Sequence, residues 1–355
     1  MSSTGSLAFT PSGAQPAAPA DDPTRAAGQP GSRLKMLDGW RAISILLVLA
    51  AHMLPLGPKS WGANFAVGAL GMAIFFTLSG FLIVSILQRN PDVWSFLTRR
   101  LARIVPLAWT ALALSFAVKG LPFAYWPPNF LFYANLPPFW LDEWSSHFWS
   151  LGVEMQFYMG IALTVLLLGR RGLLIVPLAA IAVTAARIGT GTAVSIVTWF
   201  RVDEILAGGI LALVIHGMLG ERPVRLLRAL PFWPVLLLFL LSASVSLPWL
   251  NYPRPYLAAT MVGITVLRPI RGLTPLLESA PMGYLARISY AVYVIHHFTL
   301  WGWLGSGHGL VKYAKRPISF AVTFALAHVS THYFEKRFID WAHRITSGGQ
   351  RKVVG

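Results

Sequence analysis

Several ionisable side chains lie within long apolar stretches of this 355-residue chain. A charge facing lipid costs about 2.5–3.5 kcal/mol on an insertion scale, so residues of this kind are candidates for function. His52 is the first, near the end of the first apolar stretch. It stands eleven residues after Arg41. Eleven steps of 100° end about 20° beyond three full turns, which puts both side chains on one helix face roughly 16 Å apart. A histidine near a helix end can also be a hydrogen-bonded packing residue, and spacing alone leaves both readings open. Arg100 and Arg103, in FLTRRLARIVPLAW, share a helix face. Two guanidiniums so placed can fork onto phosphate or carboxylate oxygens, or serve only as juxtamembrane anchors. Glu154, in HFWSLGVEMQFYMG, lies in apolar surroundings and needs a partner or a proton. It can orient and charge-stabilise a histidine, as carboxylates do in acyl-transfer sites, or form an ion pair with an arginine.

Other candidates carry less. Arg201 and Asp203 (WFRVDEILAGG) mark a helix start, where an acid is favoured in any case. His296 and His297 (SYAVYVIHHF) lie within an apolar run. His328 and His332 are four apart on one face but have no evident third ligand, so no metal site is expected. Gly68, Gly71, Gly208 and Gly209 read as helix-packing positions. The chain has no cysteine, which excludes disulfides, thiolate metal sites and a Cys nucleophile. GxSxG, HExxH, GxGxxG and GxxxxGK[ST] are all missing, and with them the common soluble hydrolase, zinc-protease, dinucleotide and nucleoside-triphosphate chemistries.

These residues need elements to position them, and composition says of what kind. Hydrophobic residues make up 55% of the chain and charged ones 12%, with a mean hydropathy of +0.59. A soluble domain is about a quarter charged, so the apolar surface here must face lipid. A membrane-spanning helix takes about 20 apolar residues. That length predicts an all-α, polytopic membrane protein with about ten transmembrane helices, near 36–54, 66–88, 101–118, 148–168, 172–188, 197–217, 230–248, 255–270, 283–304 and 317–339. Pro106 and Pro269 interrupt the third and eighth. The stretch 120–147 is aromatic and proline-broken and suits an interfacial loop. Residues 1–32, rich in Pro, Gly, Ser and Ala, read as a disordered cytoplasmic tail. Residues 33–342 form the transmembrane domain and 343–355 a basic cytoplasmic C-terminal tail.

The formal net charge of +16 would point to nucleic acid on a soluble protein. Threaded through ten spans it sorts differently. Only Lys59, Lys119, Arg187, Arg201, Arg254, Lys312, Lys315 and Arg316 fall on one side, and the remaining basic residues fall on the other. The positive-inside rule then predicts both termini in the cytoplasm, and no nucleic-acid partner is expected.

Taken together, the motifs resemble the acyltransferase family 3 membrane proteins, which O-acylate sugars and other hydroxylated envelope or secreted molecules. The resemblance covers about 34–342. MLDGWRAISILLVLAAH matches the family's opening through Arg41 and His52, FFTLSGFLI its second-span signature, and RRLARIVPL its Arg-x-x-Arg element through Arg100 and Arg103. WSLGVEMQFY carries Glu154, while RVDEILAGGILA and YLARISYAVYVIHH resemble later elements. Three positions depart from the pattern. Ala73 stands where many members are acidic or polar, Met155 replaces a second acid after Glu154, and His297-Phe298 follows His296 where a proline is common nearby.

The resemblance implies acyl-CoA, with acetyl as the default group, as donor substrate rather than bound cofactor. It implies a carbohydrate or glycosylated acceptor, a multi-pass inner-membrane location, and no fused soluble hydrolase-like domain. His52, as the general base that takes the proton of the acceptor hydroxyl, and Glu154 are then the expected catalytic residues, with Arg41, Arg100 and Arg103 for the donor and Asp38, Ser79, Tyr158, Arg201, Asp203 and His296 as secondary site residues. The pantetheine arm is expected along span one, from the arginine pair to His52. A covalent acyl-enzyme and the identity of the acceptor stay open. A transporter or flippase without acyl chemistry is the competing class; it predicts an internal repeat, and no convincing one is found.

Overall fold

The computed structural model describes residues 30–348. The tail read at 1–32 thus lies outside the described residues except for its last three positions, and 349–355 of the C-terminal tail lie outside them as well. Among the described residues the chain is helical, with no strand. Its main helices are α1 (Pro30–Met53), α2 (Ala63–Arg89), α3 (Val93–Lys119), α4 (Trp149–Leu168), α5 (Ile175–Gly189) and α6 (Asp203–Ile215). There follow α7 (Glu221–Ala229), α8 (Phe232–Leu241), α9 (Arg254–Leu267), α10 (Ala280–His296), α11 (Arg316–Val329) and α12 (Lys336–Gly348). Each of the ten apolar stretches read from the sequence overlaps at least one of these helices.

By length and composition, Lys35–Met53, Ala63–Arg89, Val93–Lys119 and Ser146–Gly189 suffice to cross a membrane, and α7 with α8 pass the same test together as a pair bent by 87°, the shape of a broken span or of a re-entrant loop. The remaining helices are shorter. α6 has 13 residues and α10 has 17, because hydropathy extends into adjoining turns that are not α-helical. The two prolines act differently. α3 continues through Pro106, whose carbonyl accepts the Thr110 hydroxyl at 2.7 Å. α9 stops at Leu267, and Arg268 is extended (φ −153°), as the residue before Pro269 should be.

Capping and close packing set the arrangement. Asp92 caps α3 by accepting the Ser95 N–H at 3.0 Å. α2 lies at the centre, against α1 on one side and α6 on the other. At the α2–α6 crossing a Cβ on Gly80 would run into the Ile205 carbonyl, and one on Gly208 into the Thr77 carbonyl. Two backbones can approach this closely only where the side chain is a hydrogen. Gly71 plays the same part against Ser44 of α1. α10 closes the group against α1, and Gly39 of α1 is pressed to the backbone of Leu277.

The 120–147 segment holds short helical turns and no long helix. It is tied down by amides: Asn129 Nδ2 donates to Tyr125 O and Trp140 O, and Asn135 Nδ2 donates to Ile196 O and Thr198 Oγ1. Lys119 and Asp142 pair at 2.8 Å. This segment delivers His147 to the interior, where it is buried. At the other end of the chain, α11 runs into a π-helical turn (Ser330–Glu335) before α12. There Glu335 is buried and accepts the hydroxyls of Ser330 and Thr331, while the rings of His328 and His332 stack at 4.2 Å.

Candidate active site

Three cavities follow one another between α1, α2, α3, α4 and α10. The first opens between the end of α2, the start of α3 and α12, and its walls include Asp92, Arg99, Arg100, Arg103 and His343. Asp92 accepts both the Ser95 hydroxyl and the Ser95 N–H, which together hold its carboxyl below its ordinary value. Arg100 and Arg103 are shared with the second cavity, so they stand between the two.

The second, inner cavity is lined by Arg41, Ser79, Arg100, Arg103, Glu154 and Tyr158, together with Ser44, Ser289, Tyr290 and Tyr293. Three guanidiniums face one carboxylate, an excess of positive charge. Glu154 is buried at 5% exposure; it accepts from the Ser79 hydroxyl and, at 2.5 Å, from the Tyr158 hydroxyl. The Tyr158 pairing follows from helix geometry, because residues four apart on α4 lie one above the other. Asp38, partly buried and one turn before Arg41, lies within electrostatic reach of Arg41, Arg103 and Arg287.

The third, outer cavity is lined by His52, Asn64, Ser146, His147, Trp149, Ser195, Arg201 and His297 among others. Inner and outer cavities have three lining residues in common, Val48, Met72 and Tyr293, which form a septum between them. The Tyr293 hydroxyl donates to the His147 carbonyl and lies 2.6 Å from Ser150 Oγ, so this part of the septum is pinned to α4.

At the outer cavity His52 Nδ1 lies 3.0 Å from His296 Nε2, and His296 Nδ1 lies 2.6 Å from the Tyr293 carbonyl. A carbonyl accepts only, so His296 Nδ1 carries the hydrogen, and in the neutral ring its Nε2 is an acceptor. His52 therefore donates from Nδ1, which leaves its Nε2 lone pair free. His52 is exposed to the cavity, whereas His296 is fully buried behind it. His147 and His297 complete a cluster of imidazoles, their rings 4.7 Å apart. Arg201 is packed between Trp149 and Phe76, with centroid distances of 5.3 and 5.8 Å. Asp203 is fully buried and paired with Arg187, away from the cavity wall.

The residues singled out in the sequence thus divide into two groups. Arg41, Ser79, Arg100, Arg103, Glu154 and Tyr158 meet around one cavity, while His52 and Arg201 line the next, with His296 behind. Glu154 and His52 lie on opposite sides of the septum, and the hydrogen-bond partner of His52 is His296. His147 and Tyr293 were not foreseen. His147 directly precedes FWSLGVE, and Tyr293 stands three residues before His296 on the same stripe of α10, so each adjoins a motif already noticed.

A family model described as an acyltransferase domain matches residues 34–330. The chain is similar to "Putative peptidoglycan O-acetyltransferase YrhL" of Bacillus subtilis, with 31% identity over 148 residues, 35% of this chain and 22% of that protein. It is 28% identical to "Peptidoglycan O-acetyltransferase OatA" of Listeria monocytogenes over 154 residues, again 35% and 22% of the two chains. The match to "Putative O-acetyltransferase SACOL0978" of Staphylococcus aureus is longer, 24% identical over 351 residues, covering 85% of this chain and 56% of the relative. The chain therefore spans about half or less of the curated relatives it matches. No solved structure matches it.

Proposed function

The chain belongs to the acyltransferase 3 family and is an O-acyltransferase, and from that premise we propose that it carries an acetyl group from cytoplasmic acetyl-CoA to a carbohydrate hydroxyl at the opposite face of the membrane. In this reading all ten apolar stretches cross the inner membrane and both termini are cytoplasmic. The charge asymmetry supports that orientation. A carbohydrate acceptor is supported by the relatives named for peptidoglycan O-acetylation.

One observation carries the mechanism: His52 is hydrogen-bonded through Nδ1 to a buried His296 whose own tautomer a carbonyl fixes, so Nε2 is free at the outer cavity. The donor enters past Arg99 and docks its phosphates on Arg100 and Arg103, whose guanidiniums suit bidentate phosphate contacts. Arg41 continues the positive wall inward. The thioester passes Val48, Met72 and Tyr293 to reach His52. The acceptor oxygen attacks the thioester carbonyl while His52 Nε2 takes the hydroxyl proton. The C–S bond then breaks, and the departing thiolate takes the proton from His52. His296 Nε2 accepts from the imidazolium throughout, the orienting part that a carboxylate plays in a serine triad. Glu154 acts on the donor side, where it fixes Ser79 and Tyr158 in the wall of the inner cavity.

The test is transfer of labelled acetyl from acetyl-CoA to a cell-wall glycan by the purified chain in lipid nanodiscs. His52→Ala, at matched abundance, should abolish transfer while acetyl-CoA still binds. Transfer at the wild-type rate by that variant excludes His52 as the base.

A further inference from the structure

Beside the outer cavity five charged side chains are buried together: Arg187, Arg201 and Arg254 with Asp203 and Glu204, none more than 3% exposed. We propose that the outer cavity accepts a sugar bearing a carboxylate or phosphate near its reacting hydroxyl, and that Arg201 binds that anionic group. The assignment rests on the outer cavity being the acceptor side of the acyl transfer proposed above.

Charge balance is the first support. The charged groups around Arg201 are the other four members of the cluster, so three cations meet two anions and one positive charge is uncompensated. The pairing narrows the short cation to Arg201 or Arg254. Arg187 holds Asp203. Glu204 is divided, with Oε1 3.2 Å from Arg254 Nε and Oε2 3.2 Å from Arg201 Nη2. Arg201 and Arg254 therefore share one carboxylate, and each keeps a buried nitrogen without a hydrogen-bond partner, Arg201 Nε and Arg254 Nη2. An unpaired buried cation is strongly unfavourable, and a bound anion relieves it.

Location is the second support. Arg201 lines the cavity that His52 lines, and the other four do not. No aspartate or glutamate is among the lining residues, and Arg201 is the one side chain there that is charged irrespective of pH. Trp149 and Phe76 flank its guanidinium plane, which leaves the edge, where the N–H donors are, for a ligand. The donor's phosphates have their own arginines beyond the septum, so the anion at Arg201 comes with the acceptor.

The test uses the full chain in nanodiscs with labelled acetyl-CoA and three soluble acceptors: N-acetylmuramic acid, N-acetylglucosamine 1-phosphate and neutral N-acetylglucosamine. For the wild type, kcat/KM for at least one of the two acidic sugars should exceed that for the neutral sugar tenfold or more, and which one it is identifies the anion as carboxylate or phosphate. Arg201→Gln should bring the acidic-to-neutral ratio close to one, chiefly through KM, and Arg201→Lys should keep part of it. A wild-type ratio near one for both acidic sugars overturns the proposal without recourse to any variant. So does an Arg201→Gln variant in which kcat falls equally on all three sugars with the ratio kept, since that is the mark of a group stabilising the transition-state oxyanion. Absence of acetyl transfer to any sugar by a protein that binds acetyl-CoA refutes the acyl-transfer reading itself.

Discussion

Replacing His296 with alanine removes the acceptor for His52 Nδ1–H while leaving every residue that lines the inner cavity in place. Two losses follow. The imidazole of His52 is no longer held in one tautomer, which costs about a factor of two if both tautomers become equally populated. More important, the imidazolium formed as the acceptor loses its proton has no partner. A hydrogen bond to a charged group is worth about 1.5–3 kcal/mol. His296 is fully buried and the N···N distance is 3.0 Å, so little of that is recovered from water. At about 1.4 kcal/mol per tenfold in rate this is about 10- to 150-fold, and with the tautomer loss kcat should fall about 20- to 300-fold. KM for acetyl-CoA should not change if the donor binds, as proposed, at the arginines beyond the septum. His296→Gln retains a side-chain oxygen able to accept from Nδ1–H and should recover most of the loss. The assay is initial-rate acetyl transfer in nanodiscs with acetyl-CoA varied at saturating acceptor. A His296→Ala variant with wild-type kcat, or a glutamine variant no better than alanine, refutes the role given to this histidine pair.

Arg100→Gln and Arg103→Gln should each raise KM for acetyl-CoA about tenfold or more through loss of a charge-assisted contact, and neither should alter use of S-acetylpantetheine, which has no phosphate; steady-state kinetics with the two donors checks this. Gly208→Leu forces a side chain into the Thr77 backbone and should destabilise the fold by about 1–3 kcal/mol or more, whereas Gly160→Ala, where a Cβ meets nothing within 4 Å, should not; thermal unfolding in detergent distinguishes them. Asp92→Ala removes the cap of α3 and should cost about 1 kcal/mol at neutral pH. Because the hydroxyl and N–H of Ser95 hold the Asp92 carboxyl below its ordinary value of 3.8, the stabilisation is complete above that pH and is lost as pH falls through the lower folded value. Denaturation of the two proteins should therefore converge in acid.

Part of the candidate site's geometry was legible in the sequence because helix periodicity is local. Arg100 and Arg103 share a face and do share two cavities; Glu154 and Tyr158 are one turn apart and do bond. The all-helical fold was legible from apolar run lengths, although hydropathy does not register where an apolar run stops being α-helical, as at α6 and α10. What periodicity does not carry is which helix faces which. Arg41 and His52 lie on one stripe of α1, yet Val48 of the same helix belongs to a septum that separates them into different cavities. His52 meets His296, 244 residues away, because the ends of α1 and α10 come together in space. His147 was obscured by the irregular loop that precedes α4, whose course depends on amide contacts to residues 60 positions on rather than on any repeat.

The septum bears on something other than chemistry. In the proposed reaction a polyanion enters from one face of the membrane and a sugar from the other, which asks for polar cavities approaching each other as they do in a pore. Each elementary charge crossing 100 mV dissipates about 2.3 kcal/mol, and a standing water column would drain the gradient that energises the cell. Val48, Met72 and Tyr293 interpose two aliphatic side chains and a ring whose hydroxyl is already bonded to α4. If the two cavities take the donor and acceptor proposed above, these three side chains bar ions and water between turnovers. During one, a pantetheine arm passing along the proposed route would replace the seal it displaces, so that an acetyl group could cross while ions do not.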